Sequence, residues 1–259
     1  MTDQPNLVRV TWSILRAQRT RRPNPTGSAT VDHSRLAPVL DRLRSAGVRG
    51  LADVRPDLHA YRSFLETVDP DELDPGAAKA FWLNLYNAGA LELASEASAN
   101  DQVSVLRIRG GFFRPWARVA GEDLSLDDIE HGKIRRLNDP RVHGALVCGS
   151  ASCPVLRYEP YRGADVEQQL GAQMRSFLAA GGAVPDRAAG VLRLSRIFLW
   201  YGGDFTRPLS MPTMLPARKR VVADALGRWL ADDVVTWMAA TGPSVEFLPY
   251  DWNLACSIG

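Results

Sequence analysis

The sequence predicts an α+β protein: a helix-rich single domain packed around a small, mostly antiparallel sheet, with a papain-like arrangement as one candidate form. Three observations predict it. Segments near 35–46, 56–68, 76–95, 126–137, 165–180 and 217–240 carry apolar residues at three- and four-residue spacing, the period of an amphipathic helix. Only four short stretches read as strands: Trp116–Ala120, Val142–Cys148, Val191–Phe198 and Val245–Tyr250. Helices and strands out of strict alternation favour a small sheet over a parallel βαβ array.

Local signals place several of these elements. The basic, polar stretch Gln18–Asp32 holds two prolines and a glycine and has no apolar period, so it reads as a loop or arm. Residues 1–34 are therefore expected to form an N-terminal helix with that arm, and residues 35–259 the domain. Pro75 and Gly76 sit where the third helix should begin. Ser125 and Asp128 form the S-x-x-D pattern of a capping box ahead of the fourth. Ser152 and Pro154 flank Cys153 as a cap and first-turn proline would, which predicts a further helix start there. Gly181–Gly190 reads as a loop.

Composition narrows the class without naming a function. Of 259 residues, 46% are apolar and 23% charged, values that exclude a collagen-like, disordered or coiled-coil chain. A formal charge of +2 gives no electrostatic footprint for nucleic acid. The apolar run Leu7–Leu15 is interrupted by Arg9, unlike an export signal, and no window reaches the ~20 apolar residues of a membrane span. The expectation is a cytoplasmic protein without a membrane span. Its three cysteines, too few for a disulfide scaffold, should then be reduced. No glycine pattern matches a Rossmann or Walker A fingerprint, and no cofactor is expected. Oligomeric state is not legible.

The chemistry-bearing region is Ser125–Tyr161, which holds His131, His143, Cys148, Cys153 and the loop CGSASCP. Nucleophilic catalysis needs a thiolate, a base and donors for the developing oxyanion. A thiol at the predicted helix start would face the helix dipole and unpaired N–H groups, which makes Cys153 the candidate nucleophile. His143 and His131 are the candidate bases. If residues 142–148 are extended, His143 and Cys148 lie about 17 Å apart and on opposite faces. His131 follows Asp127 by four residues, so that carboxylate can orient it; Glu130 is a second orienter or acid, and Asn84 a third. The plain alternative for His131 is a solvated helix surface, and for Cys148, at the end of the apolar ALVC run, core packing.

Other readings compete. His131, His143, Cys148 and Cys153 could supply four zinc ligands, although H-x11-H-x4-C-x4-C lacks the tight pairs of structural zinc, so no metal site is assigned. Cys148 and Cys153 could pair across a four-residue loop as a redox couple. Asn84 and Asn87, three apart in FWLNLYNA, either hydrogen-bond a neighbouring loop from within the core, the favoured reading, or position a substrate. FLWYGGDF (with Asp204) and YDWNLA (with Asp251) read as aromatic braces.

Five motifs together, FWLNLYNA, LSLDDIEHGKIRR, DPRVHGALVCGSASCPVLRYEPY, IFLWYGGDF and YDWNL, resemble the domain of unknown function 547 family over roughly residues 50–255. The resemblance marks Asn84, Asn87, Glu130, His131, Arg141, His143, Cys148, Cys153, Asp204 and Asp251 as matching polar positions, leaves Cys256 outside, and implies no reaction. Bacterial members are often exported and plant members carry a coiled coil; this sequence shows neither feature. The leading reading is a cysteine-dependent hydrolase or transferase acting on an amide, isopeptide or thioester bond of a small peptide-like or thiol substrate. Cys153, His143, His131 and Glu130 are its catalytic candidates, and Asn84, Asn87, Arg141, Cys148 and Asp204 its supporting ones. The alternatives are a non-catalytic binding or interaction domain with a buried polar network, and a zinc-binding protein.

Overall fold

The structure, a computed structural model, describes residue 12, residues 14–213 and residues 215–259. Most of the expected N-terminal helix lies outside the described residues. The architecture is helix-rich α+β with two small sheets. Its contacts divide the chain into two compact units. The first comprises the residues up to Leu137, Leu146–Gln169 and Asp251–Gly259; the second comprises Asn138–Ala145 and Leu170–Tyr250.

In the first unit, α1 (Ala37–Ala46) and α2 (Arg55–Leu65) bury one apolar face each, through residues such as Leu40, Leu43, Leu58 and Leu65. The central helix α3 (Pro75–Ala99) is different, being apolar around its whole circumference. A helix with no polar face is a core helix. Its start obeys the sequence signal: Asp74 accepts a hydrogen bond from the Ala77 N–H at 2.8 Å, with Pro75 in the first turn. The basic arm is strapped down rather than loose. Thr26 N–H donates to Asp71 O, and Ala29 bridges to Leu73 beside the start of α3. A two-stranded antiparallel ribbon, β1 (Ala117–Val119) with β2 (Glu122–Leu124), precedes the Ser125–Asp128 capping box. There Ser125 N–H donates to Asp128 and Asp128 N–H to Ser125 Oγ, at 3.0 and 3.1 Å. The fourth predicted helix is not a regular α-helix: it is π-helical over Asp128–Lys133 and 3-10 over Ile134–Leu137.

In the second unit, α4 (Val166–Phe177) leads to β3 (Ala183–Asp186) and β4 (Val191–Leu194), so part of the stretch expected as a loop is strand. β5 (Ser244–Phe247) adds parallel to β4, giving a three-stranded mixed sheet; among the described residues, two of the three strand pairings are antiparallel. The strand expected over Val191–Phe198 stops at Leu194, after which α5 (Ile197–Trp200) and α6 (Gly202–Thr206) turn the aromatic run into the core. Phe198 packs edge-on against Phe205 at 5.2 Å, and Phe205 against Trp229 at 6.3 Å. The helix expected over 217–240 is broken into α7 (Lys219–Leu226) and α8 (Asp232–Thr241).

Two expectations fail outright. Val142–Cys148 is not a strand. Asp139 accepts from Arg141 N–H, Pro140 follows it, and Pro140–Gly144 becomes a 3-10 turn. An Asp cap with proline at the first position outweighs the β-propensity of the valines behind it. The 17 Å separation argued from an extended chain therefore falls with the strand. Cys153 does not open a helix either. Pro154 biases it away from helical geometry, and its N–H closes a turn onto Ser150 O.

Two outcomes are expected of the first unit. Asp74→Ala should lower stability by about 0.5–2 kcal/mol in urea unfolding, the usual cost of a lost helix cap. His33, 4% exposed and hydrogen-bonded to Tyr61 Oη at 2.5 Å, has its pKa pushed down to about 4 by burial, with Asp32 opposing. The unfolded chain binds that proton more readily, so the stability linked to His33 is complete above pH ~6.5 and is lost as pH falls towards ~4, up to about 3 kcal/mol. His33→Gln should flatten the stability–pH curve across that window; an unchanged slope would remove His33 as its source.

Candidate functional site

The loop Leu146–Tyr161 belongs to the first unit and is irregular, so its backbone groups need partners other than a ladder. α3 supplies them. Asn87 Oδ1 accepts the Val147 N–H at 3.1 Å. Asn84 takes both groups of Tyr161, accepting its N–H at 2.9 Å and donating to its carbonyl at 2.8 Å. Both asparagines are almost fully buried, which accounts for two amides in an apolar helix. The bracing expected of this pair is what these bonds do.

The C-terminal tail holds the other side of the loop. Ala151 N–H donates to Asn253 O at 2.9 Å, Ser152 N–H to Asp251 O at 3.2 Å, and Ala255 N–H to Gly149 O at 3.0 Å. Asp251 N–H returns a bond to Ser152 Oγ at 2.8 Å. Asp251 thus acts through its backbone as a bracket. Gly149, at φ +76°, makes the turn directly after Cys148, where a Cβ would press on Ala94 and Val105 at 3.1 Å.

Within this frame the two cysteines meet. Neither is in a disulfide, and their sulfurs stand 2.6 Å apart. Cys153 Sγ accepts the Cys148 N–H at 3.0 Å and the Ser150 hydroxyl at 3.3 Å. Cys148 Sγ lies 3.1 Å from Ser150 Oγ. Both thiols are half-buried, so Cys148 is not the strand-end core residue expected. The helix-dipole argument for Cys153 does not survive, because there is no helix; the donors that reach its sulfur are a backbone N–H and a hydroxyl. Ser150 was not singled out from the sequence, although its place between the cysteines in CGSASCP was the available signal. Cys256 is set apart by burial, which pushes its thiol up to about 11.

His131 lies in a buried polar cluster in the same unit, not on a solvated helix face. Its Nδ1 faces Arg135 Nη1 at 3.2 Å and Glu130 Oε1 at 3.6 Å, and its Nε2 faces Asp127 Oδ1 at 3.6 Å. Arginine can only donate, so Nδ1 is the accepting nitrogen and the ring proton sits on Nε2, towards Asp127. Tyr86 Oη donates to Glu130 Oε2 at 3.0 Å. Arg135, 1% exposed, is the member that sequence reasoning missed, since a buried arginine leaves no mark on an apolar period.

In the second unit His143 pairs with a residue sixty-one positions away. Its Nε2 lies 2.9 Å from Asp204 Oδ2, both side chains are buried, and Asp204 Oδ1 accepts the Thr213 N–H at 3.0 Å. The imidazole stacks on Tyr201 at 4.1 Å and leans on Phe205. An ionised carboxylate accepts only, so the Nε2 proton of His143 is directed at Asp204. Asp204, rather than Glu130, Asp127 or Asn84, is thus the orienter of His143. Arg141 is gripped by Asp139 through Nε at 2.9 Å and Nη2 at 2.7 Å. Among the described residues, no group of three or more His, Cys, Asp or Glu side chains is arranged to hold a metal ion. No described helix is long and apolar enough to cross a membrane.

A loop braced by paired helical asparagines and carrying two contacting thiols defines a cysteine-loop α+β protein. The family model described as "Protein of unknown function, DUF547" matches residues 70–178, so this stretch of the chain is similar to that family. The match contains the three motifs from FWLNLYNA to YEPY, with Asn84, Asn87, Glu130, His131, Arg141, His143, Cys148 and Cys153, and stops before those of Asp204 and Asp251. No curated protein and no solved structure is significantly similar to the chain.

The bracing has a measurable consequence. Asn84→Ala leaves the Tyr161 N–H and carbonyl without their partner and should cost about 1–3 kcal/mol. Cys153→Ala removes only the half-buried sulfur contacts to the Cys148 N–H and the Ser150 hydroxyl and should cost less than Asn84→Ala. Equal melting temperatures for Asn84→Ala and wild type would show that the amide does not brace the loop.

Proposed function

We propose that this protein is a cysteine-dependent hydrolase or transferase acting on an amide, isopeptide or thioester bond of a small peptide-like substrate, with Cys153 as nucleophile. The observation that carries the reading is the pair of donors on Cys153 Sγ, the Cys148 N–H and the Ser150 hydroxyl, in a loop pinned from two sides. A thiolate held this way can attack a carbonyl carbon, form a thioester as the leaving group departs with a proton, and release the acyl group to water or another acceptor.

The candidate bases are His143 and His131. Asp204 holds one ring nitrogen of His143, whereas His131 has charged groups at both ring nitrogens. Glu130, held by Tyr86, is a supporting carboxylate of the His131 cluster in this reading. A second reading, a non-catalytic binding domain, is favoured by the same cluster, whose Asp127, Glu130, His131 and Arg135 are largely occupied with one another.

Residue-resolved alkylation separates the two. Near pH 6.5 a small alkylating agent should modify Cys153 well before Cys256, whose ordinary ionisation is far above that pH. His143→Gln should lose turnover by about 100-fold or more, the lower range for a general base, while remaining folded. Labelling of Cys153 no faster than Cys256 would defeat the nucleophile assignment, and full turnover in His143→Gln would remove it as base.

A further inference from the structure

We propose that Cys148 and Cys153 form a reversible redox couple in which a hydroperoxide oxidises Cys153 and Cys148 resolves the product as an intramolecular disulfide. The inference rests on the proposed function only in naming Cys153 as the attacking sulfur. Its geometric basis is separate. The two sulfurs are 2.6 Å apart, against about 2.04 Å in a formed bond, so closing the link needs only a short approach.

The backbone between them is already fixed. Gly149 turns the chain after Cys148, Cys153 N–H bonds Ser150 O, and tail residues Asn253 and Ala255 hold Ala151 and Gly149. The entropy of bringing the thiols together is therefore spent in folding, as for any preorganised contact. Both thiols are half-buried, which leaves them open to a small oxidant.

The chemistry balances with hydrogen peroxide as co-reactant. The Cys153 thiolate attacks one peroxide oxygen; an S–O bond forms, the O–O bond breaks, and hydroxide leaves to be protonated as water. Sulfur is oxidised to the sulfenic acid and peroxide is reduced. Cys148 Sγ then attacks the sulfenic sulfur; the S–S bond forms, the S–O bond breaks, and the departing hydroxide takes the Cys148 proton as a second water. Ser150 Oγ, within 3.3 Å of both sulfurs, is placed to bond the sulfenic oxygen or the leaving hydroxide. The result caps the nucleophile before it can advance to the irreversible sulfinic acid. A dithiol reductant restores it.

The test is peptide mapping of the whole chain after stoichiometric hydrogen peroxide, with unreacted thiols blocked. The expected product is a Cys148–Cys153 link, two hydrogens lighter than the dithiol, reversed by dithiothreitol, with Cys256 still a thiol. Cys148→Ser should instead accumulate sulfenic acid on Cys153, captured by dimedone, and pass on to sulfinic acid; Cys148→Ala guards against a folding defect in the first variant. Sulfinic acid on wild-type Cys153 with Cys148 still reduced, or two unreacted thiols, would overturn the couple. Disulfide formation in a chain with no acyl-transfer activity would defeat the proposed function while leaving the couple standing. Activity without disulfide formation would do the reverse.

Discussion

Backbone groups withdrawn from water must find partners, and the segment Leu146–Tyr161 lies in no sheet, meeting the C-terminal tail through isolated bridges at Ser150–Leu254 and Leu156–Ile258. Two carboxamides from α3 hold its ends: Asn87 satisfies Val147, and Asn84 satisfies both groups of Tyr161. An amide side chain carries one acceptor and two donors, and so can imitate the edge of a strand where none exists. The cysteine loop hangs on this arrangement. With the ends of the segment tied to a buried helix and its middle tied to the tail at Asn253 and Ala255, the six-residue span from Cys148 to Cys153 has little freedom left.

The two histidines show how environment assigns roles to the same side chain. His131 has an arginine on one nitrogen and carboxylates around it, an arrangement in which the imidazole is a connector among buried charges. Such a cluster is costly to bury unless its members pair, as Arg135 does with His131 and Tyr86 with Glu130. His143 has one carboxylate, Asp204, and an aromatic slot formed by Tyr201 and Phe205. That combination orients a ring and fixes its tautomer.

The helix-rich class, the start of α3 at Asp74 and Pro75, and the Ser125–Asp128 box were legible because each is a local signal read within a few residues. So was the bracing use of Asn87, since an amide on an apolar helix is costly to bury unless it is hydrogen-bonded. The segment Val142–Cys148 was not, because its apolar run resembles a strand while the Asp139–Pro140 cap three residues earlier decides its shape. The helix start at Cys153 failed for a local and a long-range reason: its own N–H closes a turn onto Ser150, and the Ala151 and Ser152 amides are taken by a tail a hundred residues away. The same distance hid the bond between His143 and Asp204, and a fully buried Arg135 could not be told from the surface arginines around it. Sequence reading thus singled out the candidate residues but assigned two of them the wrong surroundings.

The central claim is that Cys153 forms a covalent acyl bond. Intact-mass measurement after mixing the protein with small activated thioesters and peptide-like esters, followed by peptide mapping, tests it most directly. The account predicts one acyl group per chain, on Cys153 and sensitive to hydroxylamine, absent in Cys153→Ser and longer-lived in His143→Gln. A protein that stays unmodified throughout, or that is acylated equally at Cys148 or Cys256, would contradict it.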